Sequence, residues 1–208
     1  MTSGDVQMRL DVERLESRVN RFVEWFLRNW IWVASGWAAL VVAGAVLTPV
    51  LAANGFDTLS WMFYRAYRLL CPQREAHSWF ISGHKMGFEQ RDTAMFVAGA
   101  IGGPLYVLLR RFTWKVSWKM MVLAQVPMLI DVFTQIIGLR DSDGFWRSWT
   151  GALGVFAFIA WMYPKLDADF REGLARIRAE RDQAGQPDEA PRLHIVPSVD
   201  GQSEREIT

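Results

Sequence analysis

Cys71, His77, Glu89 and Asp92 fall within a stretch of 22 residues and bring together a thiol, an imidazole and two carboxylates. Those are the donor types that hold zinc and other divalent cations. Their spacing is irregular, and Arg74 and Arg91 in the same stretch offer the carboxylates ion-pair partners instead. No metal set is assigned from the sequence; Cys71, Glu89 and Asp92 are the candidates for one. A nucleophilic Cys71 would need a base beside it, and His77 six residues on is the available one. Gln73 belongs to the same polar group. Arg140 and Asp143, in the later segment Gly138–Gly144, are expected on the same face, where the two clusters would form one outer lid or simply solvated loop charge.

Asp131 stands apart, as a carboxylate inside an otherwise apolar run. A charge there costs a few kcal/mol, so it is paired, protonated or functional. Gln135 lies one turn on, on the same helical face. Pro127 lies one turn before and frees a backbone carbonyl beside it. Arg147 and Thr150 enter the next apolar segment from the same side. These residues predict a polar network of Asp131, Gln135, Arg147 and Thr150 joining two helices, or else a proton or ion path.

The elements that must position these groups follow from the charge pattern. The chain has 208 residues, and 27 of its 45 charged side chains lie in residues 1–28 and 164–208. The 135 residues between carry the other 18, with ten of the eleven Trp. Charged ends around long apolar runs define a polytopic membrane protein. Four runs read as spans, at about 30–53, 93–109, 120–139 and 145–163, near the ~20 residues a crossing needs. Trp30, Trp32, Trp114, Trp118, Trp146, Trp149 and Trp161 fall near their ends, as interfacial aromatics do. Gly99 and Gly103, and Gly151 with Gly154, provide small faces for close helix approach.

The expected fold is therefore an all-α, four-helix integral membrane bundle within residues 29–163, with an outer loop at 54–92. Residues 1–28 carry Val12, Leu15, Val19, Phe22 and Phe26 at helical spacing, an amphipathic helix that lies on the membrane, leads into the first span or binds a partner. Residues 58–70 are too short and basic to cross and read as an interfacial helix. Pro164 is expected to open a second amphipathic helix over 164–184, with a disordered tail at 185–208.

Lys and Arg number 16 in the amino terminus, the 110–119 loop and the carboxyl tail, against 7 in the alternate segments. The positive-inside rule then places both termini in the cytoplasm of a cell (inner) membrane. A net charge of +1 argues against nucleic-acid binding. One cysteine excludes an intrachain disulfide and a four-cysteine metal cluster. No histidine lies within a span, which disfavours an intramembrane haem, and no cofactor is expected.

The polar positions also resemble the prokaryotic membrane proteins catalogued as domain of unknown function 2085. One block reads Cys71-Pro-Gln73, His77-Ser78, Gly83 and Glu89-Gln-Arg91-Asp92-Thr93. The other reads Pro127, Asp131, Thr134-Gln135, Gly138-Leu-Arg140-Asp-Ser142-Asp143, Arg147 and Thr150-Gly151. The resemblance covers residues 60–155. The family pattern sets a Cys-His pair and a Cys-x-x-Cys run where this chain has Cys71-Pro72 and Glu89 to Asp92. The resemblance thus implies a kept helix-packing framework without the family's cysteine set, and it supplies no activity.

With no catalytic set in view, the expected function is a non-enzymatic accessory or scaffold subunit, whose partners are membrane lipid and other membrane-protein subunits. A small transporter or proton-conducting module at Asp131, and a metal-dependent membrane enzyme at the outer loop, are the alternatives.

Overall fold

A computed structural model describes residues 3–112 and 116–185. Five helices, one short 3-10 turn and a two-stranded hairpin make up these residues. Helix α1 runs Ser3–Ala53, α2 Asp57–Tyr67, α3 Gln90–Leu109, α4 Trp118–Ile136 and α5 Gly144–Gly185. Strands β1 (Ser78–Ile81) and β2 (His84–Glu89) follow the 3-10 turn Glu75–His77. Among the described residues, three helices are long and apolar enough to cross a membrane: α1 over Arg14–Ala53, α3 and α4. The fourth expected span, 145–163, forms the first half of α5, where Arg147, Ser148 and three Trp dilute the apolar run.

Neither end of the membrane region is marked by a break in the helix. No Gly or Pro interrupts the chain between Val6 and Ser35, so the amphipathic segment and the first span are one unbroken helix. Pro164 does not start a new helix either; α5 passes through it. Proline removes one helical hydrogen bond, and packing on both sides holds the helix together there. Trp30 of α1 meets Tyr163 and Phe170 edge-on, with ring centroids 4.7 and 5.3 Å apart. Trp114, Lys115 and the tail beyond Gly185 lie outside the described residues.

The expectation of a purely helical protein is corrected by the hairpin. Residues 54–89 form an organised cap, in which α2 occupies most of the stretch expected as a short helix at 58–70. Ser82 and Gly83 form the turn, both at positive φ (52° and 82°), the backbone of a two-residue type I′ hairpin. Pairing of Ile81 with His84 and Phe80 with Lys85 sets the register.

The cap is pinned to α1. Val41, Ala45, Cys71 and Phe88 form a buried cluster, against which Tyr67 and Phe96 pack. The Tyr67 hydroxyl donates to the Val41 carbonyl at 2.8 Å, and Ser60 Oγ donates to the Thr48 carbonyl at 3.0 Å. The Tyr64 hydroxyl donates to the Lys85 carbonyl. Gly87 brings the hairpin backbone against α1: a Cβ there would sit 3.2 Å from Ala45 Cα.

Helices α3 and α5 run side by side in the same direction. Gly151 lies against Arg91 and Met95, Gly102 against Ile159 and Phe156, and the Tyr106 and Tyr163 rings are 5.7 Å apart. Helix α1 runs opposite to α3, with Gly99 against Ala38 and Gly103 against Ser35 and Ile31. Helix α4 packs along α5, where Gln125 Nε2 donates to the Gly154 carbonyl at 2.9 Å.

Candidate functional site

Strand β2 runs directly into α3, and this junction assembles the polar cluster of the cap. Glu89 is the N-cap residue of α3, and Thr93 Oγ1 donates back to its carbonyl at 2.9 Å. Asp92 lies in the first helical turn, and Cys71 follows the C-terminal end of α2. Ligand atoms of Cys71, Glu89 and Asp92 thereby fall within 4.8 Å of one another. His77 joins them at the rim, its Nδ1 3.7 Å from Glu89 Oε2. Arg74 holds the other Glu89 oxygen through its backbone N–H at 2.9 Å and its Nε at 3.6 Å.

Cys71 is only 2% exposed. Burial, and then the hydrogen bond to Asp92, push its thiol up to about 12, while the Glu89 backbone N–H approaching Sγ at 3.5 Å acts the other way. At neutral pH it is a protonated thiol and no nucleophile. Burial and the nearby Arg147 cation lower the His77 pKa from its usual range. The neutral imidazole is therefore favoured, the form that ligates metals.

Other members of the expected cluster go elsewhere. Gln73 is a structural clamp: at φ 58° it donates from Nε2 to the Tyr64 carbonyl at 2.9 Å and the Gly87 carbonyl at 3.0 Å. Asp143 caps α5, accepting from the Trp146 N–H at 2.9 Å. Arg140 lies over the Trp146 ring, 5.7 Å from its centroid.

Arg91 also leaves the cluster. It turns from the first turn of α3 to Asp131 of α4, with Nη2 2.5 Å from Oδ2. Gln135 Nε2 reaches the same oxygen at 3.0 Å and Ser142 Oγ at 2.6 Å. The buried network is thus Arg91, Asp131, Gln135 and Ser142. Arg147, expected in it, contacts the Ala76 carbonyl at 3.4 Å, Gln90 Oε1 at 3.5 Å and Asp141 at 3.5 Å instead. Thr150 bonds back to the Trp146 carbonyl at 2.9 Å within α5. The sequence reading missed Arg91 as the partner because it began the span at Thr93. Beginning the helix at Gln90 places Arg91 on α3 rather than in a loop.

A helical membrane protein with an organised cap on one end is the class these features define. The family model for "Predicted membrane protein (DUF2085)" matches residues 71–161. A curated relative, an uncharacterized protein of Methanocaldococcus jannaschii, is 31% identical over 125 residues, covering 57% of this chain and 80% of the relative. The chain belongs to this family of membrane proteins. No solved structure matches it. The matched region takes in the 3-10 turn and hairpin of the cap, α3, α4 and the first half of α5, and leaves out α1 and α2.

Proposed function

We propose that the chain is a four-crossing, non-enzymatic accessory subunit of a larger membrane assembly, with both termini in the cytoplasm. The continuity of α1 carries this reading. An unbroken helix has no kink to lay its first half on the bilayer. Leu15 lies 15 residues before Trp30, about 22 Å along the helix axis. Leu15, Val19 and Phe22 are 50–64% exposed, and at about 12–22 Å from Trp30 along the axis they lie beyond the headgroup layer. A protein partner covers them. Helix α5 supports a fourth crossing, because it follows α3 from Arg91 to Tyr106 and returns to α1, where Arg181 pairs with Glu24. Pairing of Asp131 with Arg91 favours a brace over a conducting path.

The test is purification of the tagged full chain from native membranes in mild detergent, with mass spectrometry of co-eluting proteins. The expected result is a stoichiometric complex that Val19→Ser with Phe22→Ser dissolves. Elution as a lone monomer overturns the reading.

The convergence of Cys71, Glu89 and Asp92 favours a second reading, a divalent cation held in the cap. The resemblance drawn from the sequence implies cysteines at these same three positions in the family. Zinc sits about 2.0–2.3 Å from such donors, so binding would draw these side chains inward, with His77 beside them as a fourth donor. Equilibrium dialysis against zinc should then give one ion per chain, lost in Cys71→Ala. No retained zinc sinks this reading and leaves the subunit reading intact.

A further inference from the structure

Between α3 and α5 lies a groove of about 510 Å³, floored by Gly102, Phe156, Ile159 and Ala160 and flanked by Leu105 and Leu109. It opens at one end beside Tyr106, Arg110 and Pro164, and those three residues also line an adjoining recess of about 370 Å³ with Asp167 and Arg171. The two spaces differ in character. The first is apolar along its length. The second carries two guanidinium groups and one carboxylate. Arg171 is held by Asp167 at 2.5 Å. The Arg110 guanidinium makes no hydrogen bond or ion pair among the described residues.

We propose that this paired groove and recess bind one anionic phospholipid, with an acyl chain along α3 and the phosphate at Arg110. The geometry matches the molecule. Gly102 lies eight residues before Arg110, so the groove runs about 12 Å inward from the cation, within the half-thickness of a ~30 Å hydrocarbon core. Arg110 follows the last turn of α3, where the spanning helix meets the headgroup layer. A basic pocket between spanning helices at that level selects anionic head groups. The excess cation at the mouth gives the charge preference, and the apolar groove selects a chain over a free anion. Ala160, with its small side chain, leaves the space that the chain occupies, while Gly102 lets Ile159 and Phe156 pack down to form the floor.

The full chain in mild non-ionic detergent is equilibrated with equal amounts of dioleoyl-phosphatidylglycerol and dioleoyl-phosphatidylcholine and read by native mass spectrometry. One retained phosphatidylglycerol per chain is expected, preferred over phosphatidylcholine on the order of fivefold. Arg110→Gln, at an exposed position, should bring that preference close to unity. Ala160→Trp should diminish retention of both lipids, and the smaller Ala160→Leu tests the same filling where the Trp variant fails to fold. Equal retention of the two lipids by the unaltered chain overturns the proposal. So does an unchanged preference in Arg110→Gln, or displacement of phosphatidylglycerol by inorganic phosphate alone, which would mark a simple anion site.

Discussion

Arg91 of α3 and Asp131 of α4, 40 residues apart in sequence, meet at 2.5 Å, and both side chains are largely buried. Helix α4 otherwise rests on α5, and its outer face presents Leu123, Phe133 and Ile136 at 62–76% exposure. The ion pair therefore fixes the height and rotation of a peripheral helix that apolar packing alone holds loosely.

Removing one partner leaves the other charge buried. Asp131→Leu or Arg91→Leu should lower stability by about 3–5 kcal/mol, whereas the double variant Arg91→Leu with Asp131→Leu should recover most of that loss. Thermal unfolding of the four proteins in detergent measures the cycle. A stable Asp131→Asn protein that loses proton flux in vesicles would instead establish a conducting role.

The Cys71 thiol should resist modification. With its pKa raised from 9.0 to about 12, the folded protein at pH 8 holds roughly a thousandfold less thiolate than an exposed thiol would. Maleimide labelling should be slow in the native protein and rapid after denaturation.

The same shift sets an alkaline limit. The folded state keeps the thiol proton that the unfolded chain releases near pH 9.0, so stability is full below pH 9.0 and falls as pH rises toward about 12. Denaturation midpoints measured across that range should decline less steeply in Cys71→Ala than in the unaltered protein.

Glycine contacts should separate by position. A Cβ on Gly103 meets Ser35 and Ile31, and one on Gly151 lies 2.9 Å from Arg91 Cγ. Either change to Ala should cost about 1–3 kcal/mol. Gly36→Ala, with nothing within 4 Å of the added atom, should be neutral or stabilising by about 0.5–1 kcal/mol. Unfolding midpoints of the three variants decide the matter.

Replacing Val19 and Phe22 by Ser should leave intrinsic stability within about 0.5 kcal/mol, since both side chains face outward. Thermal unfolding of the isolated variant checks this, and separates loss of a partner from loss of fold.

The membrane character and the polar residues were legible because charge segregation and lone intramembrane carboxylates leave strong marks on a sequence. Asp131 with Gln135 is an example, since two residues one turn apart share a face in any helix. Tertiary partners were not legible. A span counted from the first apolar residue leaves Arg91 in the loop, but a helix can begin with charged residues when a buried partner awaits them. The hairpin was hidden for a related reason. Its strands are four and six residues long, and only Ser82-Gly83 marks the turn. Pro164 looked like a boundary, but local propensity yielded to the aromatic packing of Trp30 on Tyr163 and Phe170.

The unbroken passage of α1 from Arg14 to Ala53 has a mechanical consequence. Without a hinge where it leaves the bilayer, the amino-terminal half of the helix is a lever. Arg14 lies 16 residues from Trp30, about 24 Å along the axis, so a tilt of about 10° sweeps it sideways by about 4 Å. The Trp30 and Glu24 contacts couple α5 to this motion. Spanning helices tilt in response to hydrocarbon thickness, and a body gripping the two arms would register that thickness as displacement.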